Sequence, residues 1–181
     1  MNRRLLFLFF FSLFSLYYAA AQDGLFIRLS IGPGYTYEAA KEHASALAIA
    51  NKNHVVGWNF NDKFGFYVGE FGSLNKMIIS DYDYINLDAF GIGFLYRFSE
   101  NYIAYVTGAF GMVSFAKDWT EPMGDDGGSG YGIAVAIAKE WVFRNNWAFS
   151  LGPQCYFIRT VDTEYQFFST SFNLGISYYF K

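Results

Sequence analysis

The sequence has a single cysteine, only two histidines and few charged residues. With Cys155 alone, no intrachain disulfide can form. Charged residues make up 16% of the chain, against about 25% in typical soluble domains. Beyond the N-terminus, no run of 18 apolar residues exists, although 53% of residues are hydrophobic and 23% aromatic. The composition therefore excludes a disulfide scaffold and helical membrane spans, and it leaves an unusually apolar chain to explain.

The N-terminus has the layout of a secretory signal peptide. Asn2-Arg3-Arg4 is basic, an apolar stretch follows from Leu5 to Tyr18, and Ala19-Ala20-Ala21 supplies small residues. We predict a signal peptide over residues 1–21 and one mature domain over residues 22–181. An uncleaved anchor helix is the alternative, but the apolar stretch is shorter than the roughly 20 residues such a helix needs.

The mature domain carries no charge pattern for nucleic acid. Without Arg3 and Arg4, 11 basic residues remain of the 13 in the full chain, against 16 acidic ones, which gives a net charge of −5. Nucleic-acid-binding domains are usually basic, so we expect no nucleic-acid partner.

The C-terminal segment alternates with a period of two. Its large residues are Phe172, Leu174, Ile176, Tyr178 and Phe180, and its small or polar ones are Ser171, Asn173, Gly175 and Ser177. In a β-strand these two sets lie on opposite faces. A large apolar face opposite a small polar face indicates a strand between lipid and a barrel interior.

Seven earlier segments show similar alternation. The eight predicted strands cover residues 25–37, 54–60, 64–73, about 84–98, 102–115, 131–143, 147–158 and 165–180. Three tight turns, 61–63, 99–101 and 144–146, alternate with four longer loops, as in bacterial outer-membrane barrels. The predicted fold is all-β, an eight-stranded antiparallel up-and-down transmembrane β-barrel. A soluble lipocalin-like barrel, which would be apolar inside, is the alternative. Pro33 and Pro153 predict bulges or interrupted pairing.

Aromatic residues cluster near the tight turns, where an interfacial girdle is expected. The membrane-interface residues we assign are Trp58, Trp141, Trp147, Tyr178 and Phe180.

The whole mature chain resembles the small bacterial outer-membrane β-barrel superfamily, which includes OmpX-like proteins and the OmpA membrane domain. The resemblance rests on the eight alternating segments, on the terminal Tyr178-Tyr179-Phe180 and on Ala138-Lys139-Glu140-Trp141. Lys181 departs from the family pattern, in which the aromatic residue is usually last. The resemblance implies an outer-membrane location and recognition by the barrel-assembly machinery.

Three charged residues have inward parity near the turns. Arg28, Arg97 and Glu140 predict an interior ion-pair cluster, because charges in a narrow interior require partners. Glu70 could join if a bulge turned it inward. We favour a structural role for this cluster, in which the charges pair with one another and plug the barrel interior. A gate or selectivity filter is the alternative.

The remaining polar candidates favour no catalytic, cofactor or metal site. His43 and His54 are placed in or beside the first long loop as solvated residues, with a metal site near Glu38 and Glu42 as the alternative. The third loop is acidic and is expected to be solvated, with calcium binding as the alternative; its acidic residues are Asp118, Glu121, Asp125 and Asp126. Cys155 is expected to face lipid.

We therefore predict a non-enzymatic, monomeric outer-membrane protein whose loops serve a structural, adhesive or partner-binding role. Its expected partners are outer-membrane lipid, the barrel-assembly machinery and a surface ligand. A small solute pore is the alternative function. A lipid A-modifying enzyme is less favoured, because no histidine follows His54 and the sequence supports no nucleophile–base geometry.

Overall fold

Eight antiparallel strands form one closed barrel. The computed structural model describes residues 24–39, 45–77, 83–99, 101–117, 124–143 and 146–180, so the predicted signal peptide lies outside the described residues. The strands are β1 (Leu25–Glu38), β2 (Ser45–Asn59), β3 (Phe64–Met77), β4 (Tyr84–Ser99), β5 (Tyr102–Ala116), β6 (Gly124–Phe143), β7 (Trp147–Thr160) and β8 (Gln166–Tyr179). Each strand pairs with the next, and β8 pairs with β1. The predicted fold class is confirmed.

The barrel is apolar on its outside. On β4, the outward residues Phe90, Ile92 and Phe94 are 63%, 66% and 68% exposed, whereas the inward Leu95 is 1% exposed. An outer surface of this kind favours contact with lipid over contact with water. This is the reverse of the lipocalin-like pattern. Within the described residues, no helix has the length and apolar character needed to cross a membrane.

The strands are longer, and their connections shorter, than the sequence indicated. Residues 39–44, 78–83, 117–123 and 161–165 connect the strands at one end, which we call the loop end. The opposite turn end carries residues 60–63, 100–101 and 144–146. The loop-end connections are longer than the turns, as predicted, but they are shorter than the predicted loops, because segments of β2, β3 and β6 had been assigned to loops. At about 3.3 Å per residue and a tilt near 40°, 14 residues reach roughly 35 Å, beyond an apolar band of about 25 Å.

Both prolines disturb the ladder, in different ways. The β1–β2 register shifts by one residue between Gly32 and Gly34, where Pro33 is opposite both Ile49 and Ala50, so the bulge lies on β2 facing the proline. A matching shift between Ala48 and Ala50 marks the same irregularity in the β2–β3 ladder. At Pro153, the β6–β7 pairs run from Ala136–Gln154 to Lys139–Leu151 without a register change, so pairing is interrupted but not displaced.

Side chains fill the interior at both ends. The cluster near the loop end contains fully buried aliphatic and aromatic residues, among them Phe71, Ile85, Leu87, Ile158 and Phe167. A second cluster near the turn end contains Phe26, Val55, Tyr67, Leu95, Ile103 and Tyr105. An eight-stranded barrel has an interior narrow enough for side chains to close, and here they do so.

Candidate functional sites inside and outside the barrel

Arg97 and Glu140 form a buried ion pair at the turn end. Arg97 Nη2 lies 3.1 Å from Glu140 Oε2, and the two side chains are 20% and 2% exposed. Tyr179 joins them, since its hydroxyl donates to Glu140 Oε1 at 2.7 Å and accepts from Arg97 Nη2 at 3.2 Å. Arg97 Nη1 also donates to the Asp62 carbonyl at 3.3 Å. The carboxylate and the guanidinium thus satisfy each other away from water.

Arg28 lies inside the barrel too, with Tyr105 as its partner. Its guanidinium carbon lies 4.3 Å from the centre of the Tyr105 ring, and Nη1 donates to the Tyr105 hydroxyl. The sequence placed Arg28 in one cluster with Glu140, and the structure assigns it an aromatic partner. This pairing stabilises a charge by ring and hydroxyl contacts rather than by a carboxylate.

A polar seam runs along the interior between the apolar clusters. Gln154 Oε1 accepts from Asn53 Nδ2 at 3.0 Å and from Asn173 Nδ2 at 3.1 Å. Nearer the loop end, Thr36 Oγ1 donates to Asn75 Oδ1 at 2.7 Å and lies 2.9 Å from Ser169 Oγ. These bonds connect strands distant in sequence and fix the interior geometry.

The aromatic residues assigned to the interface lie on the outer surface at the turn end. Neighbouring strands bring several of their rings into contact: the Trp147 and Tyr178 centroids are 4.8 Å apart, and those of Trp141 and Phe149 are 5.9 Å apart. The Lys139 Nζ lies 5.1 Å from the Trp141 ring. Rings with polar tips beside an ammonium group suit the boundary between lipid and water.

A group of charged residues lies on the outside of the barrel, and the sequence did not predict it. We call Lys52, His54, Glu70 and Asp88 the outer charged patch. Lys52 Nζ lies 2.9 Å from Asp88 Oδ1 and 3.6 Å from Glu70 Oε1, and His54 Nδ1 lies 2.9 Å from Glu70 Oε1. Asn86 Nδ2 adds a bond to Asp88 Oδ2 at 2.7 Å. The four side chains are still 32% to 41% exposed.

Two predictions are corrected by this patch. His54 lies well inside β2 and not at the border of the first loop, because β2 begins nine residues earlier, at Ser45. Glu70 faces outward, since β3 is unbulged there and Glu70 keeps the parity of Phe66 and Val68. The alternation from Phe64 already gives Glu70 outward parity, and β3 has no bulge there to turn it inward. The part of β2 before His54 was not predicted.

Comparison with solved structures identifies the fold. Neisserial surface protein A superimposes with a TM-score of 0.63 and 14% identity, covering 88% of this chain and 99% of that one. Ail, the attachment invasion locus protein of Yersinia pestis, gives a TM-score of 0.52 at 11% identity over 88% of this chain and 100% of its own. This chain has the fold of the small outer-membrane β-barrels. Ail has also been solved in complex with the heparin analogue sucrose octasulfate, with a TM-score of 0.53, 11% identity and coverage of 87% and 100%. No protein-family model and no curated protein matches the sequence.

The structure places only some of the histidine, acidic and cysteine residues that were considered as possible metal or catalytic groups. His43, Glu42, Asp118 and Glu121 lie outside the described residues, and Asp125 and Asp126 fall within β6 instead of a loop. Cys155 lies on the outer face of β7 and is half-buried. In the part of the chain that the structure describes, no three histidine, cysteine or acidic side chains come together as metal ligands.

Proposed function

We propose that this chain is a non-enzymatic integral protein of the bacterial outer membrane that presents the loop end of its barrel to the cell surface. The observation that carries the proposal is a closed, filled barrel whose strands continue beyond its apolar band. Such a barrel can act as a rigid scaffold that holds the loop-end connections at the cell surface, where they can bind a partner. The likeness to Ail and to Neisserial surface protein A supports the outer-membrane location through the fold.

The filled interior favours a scaffold role for the barrel over conduction of solutes through a pore. Near the loop end, the Phe71 and Tyr156 ring centroids are 5.4 Å apart, and Phe115 packs 6.5 Å from Phe167. Near the turn end, the Arg97–Glu140 pair and Tyr179 occupy the interior. A solute would have to displace both barriers, so we assign the ion pair a structural role and not that of a selectivity filter.

A non-enzymatic role is supported by the surroundings of His54. Its ladder partners on the outer face are Leu29 on β1 and Glu70 on β3, and neither carries a hydroxyl nucleophile. A histidine–carboxylate pair needs such a nucleophile for acyl transfer of the serine type. Mass spectrometry of lipid A from cells with and without the protein is expected to show identical acylation.

Surface binding is tested by replacing one loop-end connection, residues 161–165. Cells that display the protein are compared for adhesion to host cells and extracellular-matrix components with cells in which residues 161–165 are replaced by a Gly-Ser linker. The matched control replaces the turn residues 61–63 at the opposite end. We expect adhesion to fall only with the loop exchange. Equal adhesion in all strains would contradict the surface role.

The pore is tested in planar bilayers. We expect the purified protein to show no sustained single-channel conductance. A steady conductance that changes on substitution of Arg97 would contradict the filled-barrel account and favour the pore.

A further inference from the structure

One lysine on the outer face of the barrel, Lys139, has no carboxylate partner. It lies on β6, in one row of the sheet with Tyr102 on β5. Lys52 on β2 also faces outward, but Asp88 Oδ1 lies 2.9 Å from its ammonium group and Glu70 Oε1 lies 3.6 Å from it. Among the residues that the structure describes, no carboxylate forms an ion pair with Lys139. The charge of Lys139 is therefore not neutralised within this part of the chain.

The backbone of Lys139 lies on the membrane side of the aromatic girdle. Trp141 and Phe143 are the next outward residues of β6 toward the turn end, and they are 40% and 47% exposed. Two residues of a strand tilted by about 40° correspond to about 5 Å of depth, so Lys139 starts that far inside the girdle. A lysine at such a position is stabilised when its long side chain carries the ammonium group back to the interface.

The Lys139 side chain does reach back toward the turn end. Its Nζ lies 5.1 Å from the ring of Trp141, which is nearer the turn, and 5.8 Å from the ring of Tyr102. Cation–π contacts at these distances compensate part of the charge. They provide no oxygen acceptor for the three N–H donors of the ammonium group, and the described residues contribute none.

The two rings beside the ammonium group carry further donors. Tyr102 has a hydroxyl and Trp141 an indole N–H, and the residues are 41% and 40% exposed, so a group in the surrounding membrane can reach them. An ammonium group between two neutral donors suits an anion with several acceptor oxygens. Tyrosine and tryptophan side chains lie at the level of the lipid headgroups, where each phospholipid carries a phosphate.

We propose that Lys139, Tyr102 and Trp141, which we call the Lys139 site, bind the phosphate of a phospholipid in the leaflet at the turn end. The proposal rests on the membrane placement of the barrel. The phosphate has the charge opposite to Lys139, and lipid already covers this face of the barrel. The outer charged patch differs, because its lysine is held by carboxylates of the same chain.

The experiment measures the approach of lipid phosphorus to Lys139 Nζ. The protein is labelled with ¹⁵N-lysine, inserted into phosphatidylglycerol nanodiscs and studied by solid-state NMR with ¹⁵N–³¹P dipolar recoupling. An ammonium–phosphate hydrogen bond of about 2.8 Å places the nitrogen about 4 Å from phosphorus, so strong dephasing of the Lys139 signal is expected. The signal is assigned by its loss in Lys139→Gln. Lys63, an exposed lysine of the turn at the same end, is the matched control and is expected to show little dephasing.

Native mass spectrometry measures the same contact as an affinity. Lys139→Gln is expected to raise the apparent dissociation constant for phosphatidylglycerol about fivefold. Lys63→Gln should leave it unchanged. Lys139→Arg keeps the charge and the donors, so it is expected to retain most of the wild-type affinity.

Insertion is checked first by heat-modifiable gel mobility. A wild-type chain that does not insert would contradict the membrane placement, whereas an inserted chain without dephasing at Lys139 would overturn the phosphate site alone. Equal dephasing at Lys63 would also overturn it, because any lysine near the headgroups would then behave alike. Maltoside micelles with inorganic phosphate separate a lipid headgroup from a free ion. Dephasing of Lys139 there as strong as in nanodiscs would indicate an adventitious ion only.

Discussion

The buried Arg97–Glu140 pair gives the sharpest test of the barrel interior. Replacing Glu140 by Gln keeps the shape of the side chain but removes the charge opposite Arg97 and weakens the acceptor of the Tyr179 hydroxyl bond. Breaking a buried pair typically costs 3–5 kcal/mol. Because Arg97 is 20% exposed and also bonds the Asp62 carbonyl, we expect the lower end, about 3 kcal/mol.

Reversible urea unfolding in lipid vesicles, followed by tryptophan fluorescence, measures this loss. Removing both charges with Arg97→Met and Glu140→Leu is expected to cost less than either single change, because no unpaired charge is left buried. The double-mutant cycle should give a coupling free energy of about 2–3 kcal/mol. Glu164→Gln, an exposed loop change, is the control. A Glu140→Gln cost below about 0.5 kcal/mol, or additive single effects, would refute the reasoning.

Three further predictions use the same unfolding assay. Ile92→Lys, at a 66% exposed outward position, is expected to cost about 2–4 kcal/mol if lipid covers it, while Val161→Lys in the β7–β8 loop should cost little; equal costs would contradict the membrane placement. Phe71→Ala is expected to cost about 3–5 kcal/mol by leaving a cavity near the loop end, and a cost under 1 kcal/mol would mean that the interior is not packed there. Tyr67→Phe removes the 2.7 Å bond to the Thr107 hydroxyl and should cost about 1–2 kcal/mol; an unchanged stability would argue against that bond.

The fold was predictable because a strand with one face toward lipid and one toward a narrow interior must alternate large apolar residues with small or polar ones. Alternation of large and small residues located all eight strands, and the segment from Phe172 to Phe180 needed no structure to be interpreted. The loop-end part of β3 was missed because the outward Lys76 is polar. The loop-end part of β2, where the outward Leu47 and Ile49 are apolar, was missed because a bulge between Ala48 and Ala50 breaks the alternation. Lys76 on β3 and Asn86 on β4 continue their strands where the apolar pattern has ended.

The interior site was predictable only in part. Parity placed Arg28, Arg97 and Glu140 inside, and parity depends only on sequence. Their partners depend on strand stagger, which brings Tyr179 to Glu140 and Tyr105 to Arg28 across sequence separations of 39 and 77 residues. Alternation within single strands carries no information about that stagger.

The outer charged patch was missed for a different reason. The predicted second strand began at His54, so Lys52 was left in the first loop and His54 at its border, whereas β2 begins at Ser45. The bulge between Ala48 and Ala50 further hides the parity of β2 beyond Lys52. A polar interruption in an outward apolar series therefore does not by itself mark the end of a strand.

The most direct measurement of the central claim, a filled barrel crossing the outer membrane with its loop end outside, is cysteine labelling in intact cells. In a Cys155→Ser background, Val161→Cys at the loop end and Asp62→Cys at the turn end are treated with a membrane-impermeant maleimide. We predict that residue 161 reacts in intact cells, and that residue 62 reacts only after the outer membrane is permeabilised. Labelling of residue 62 but not residue 161 in intact cells, or of both, would contradict this account.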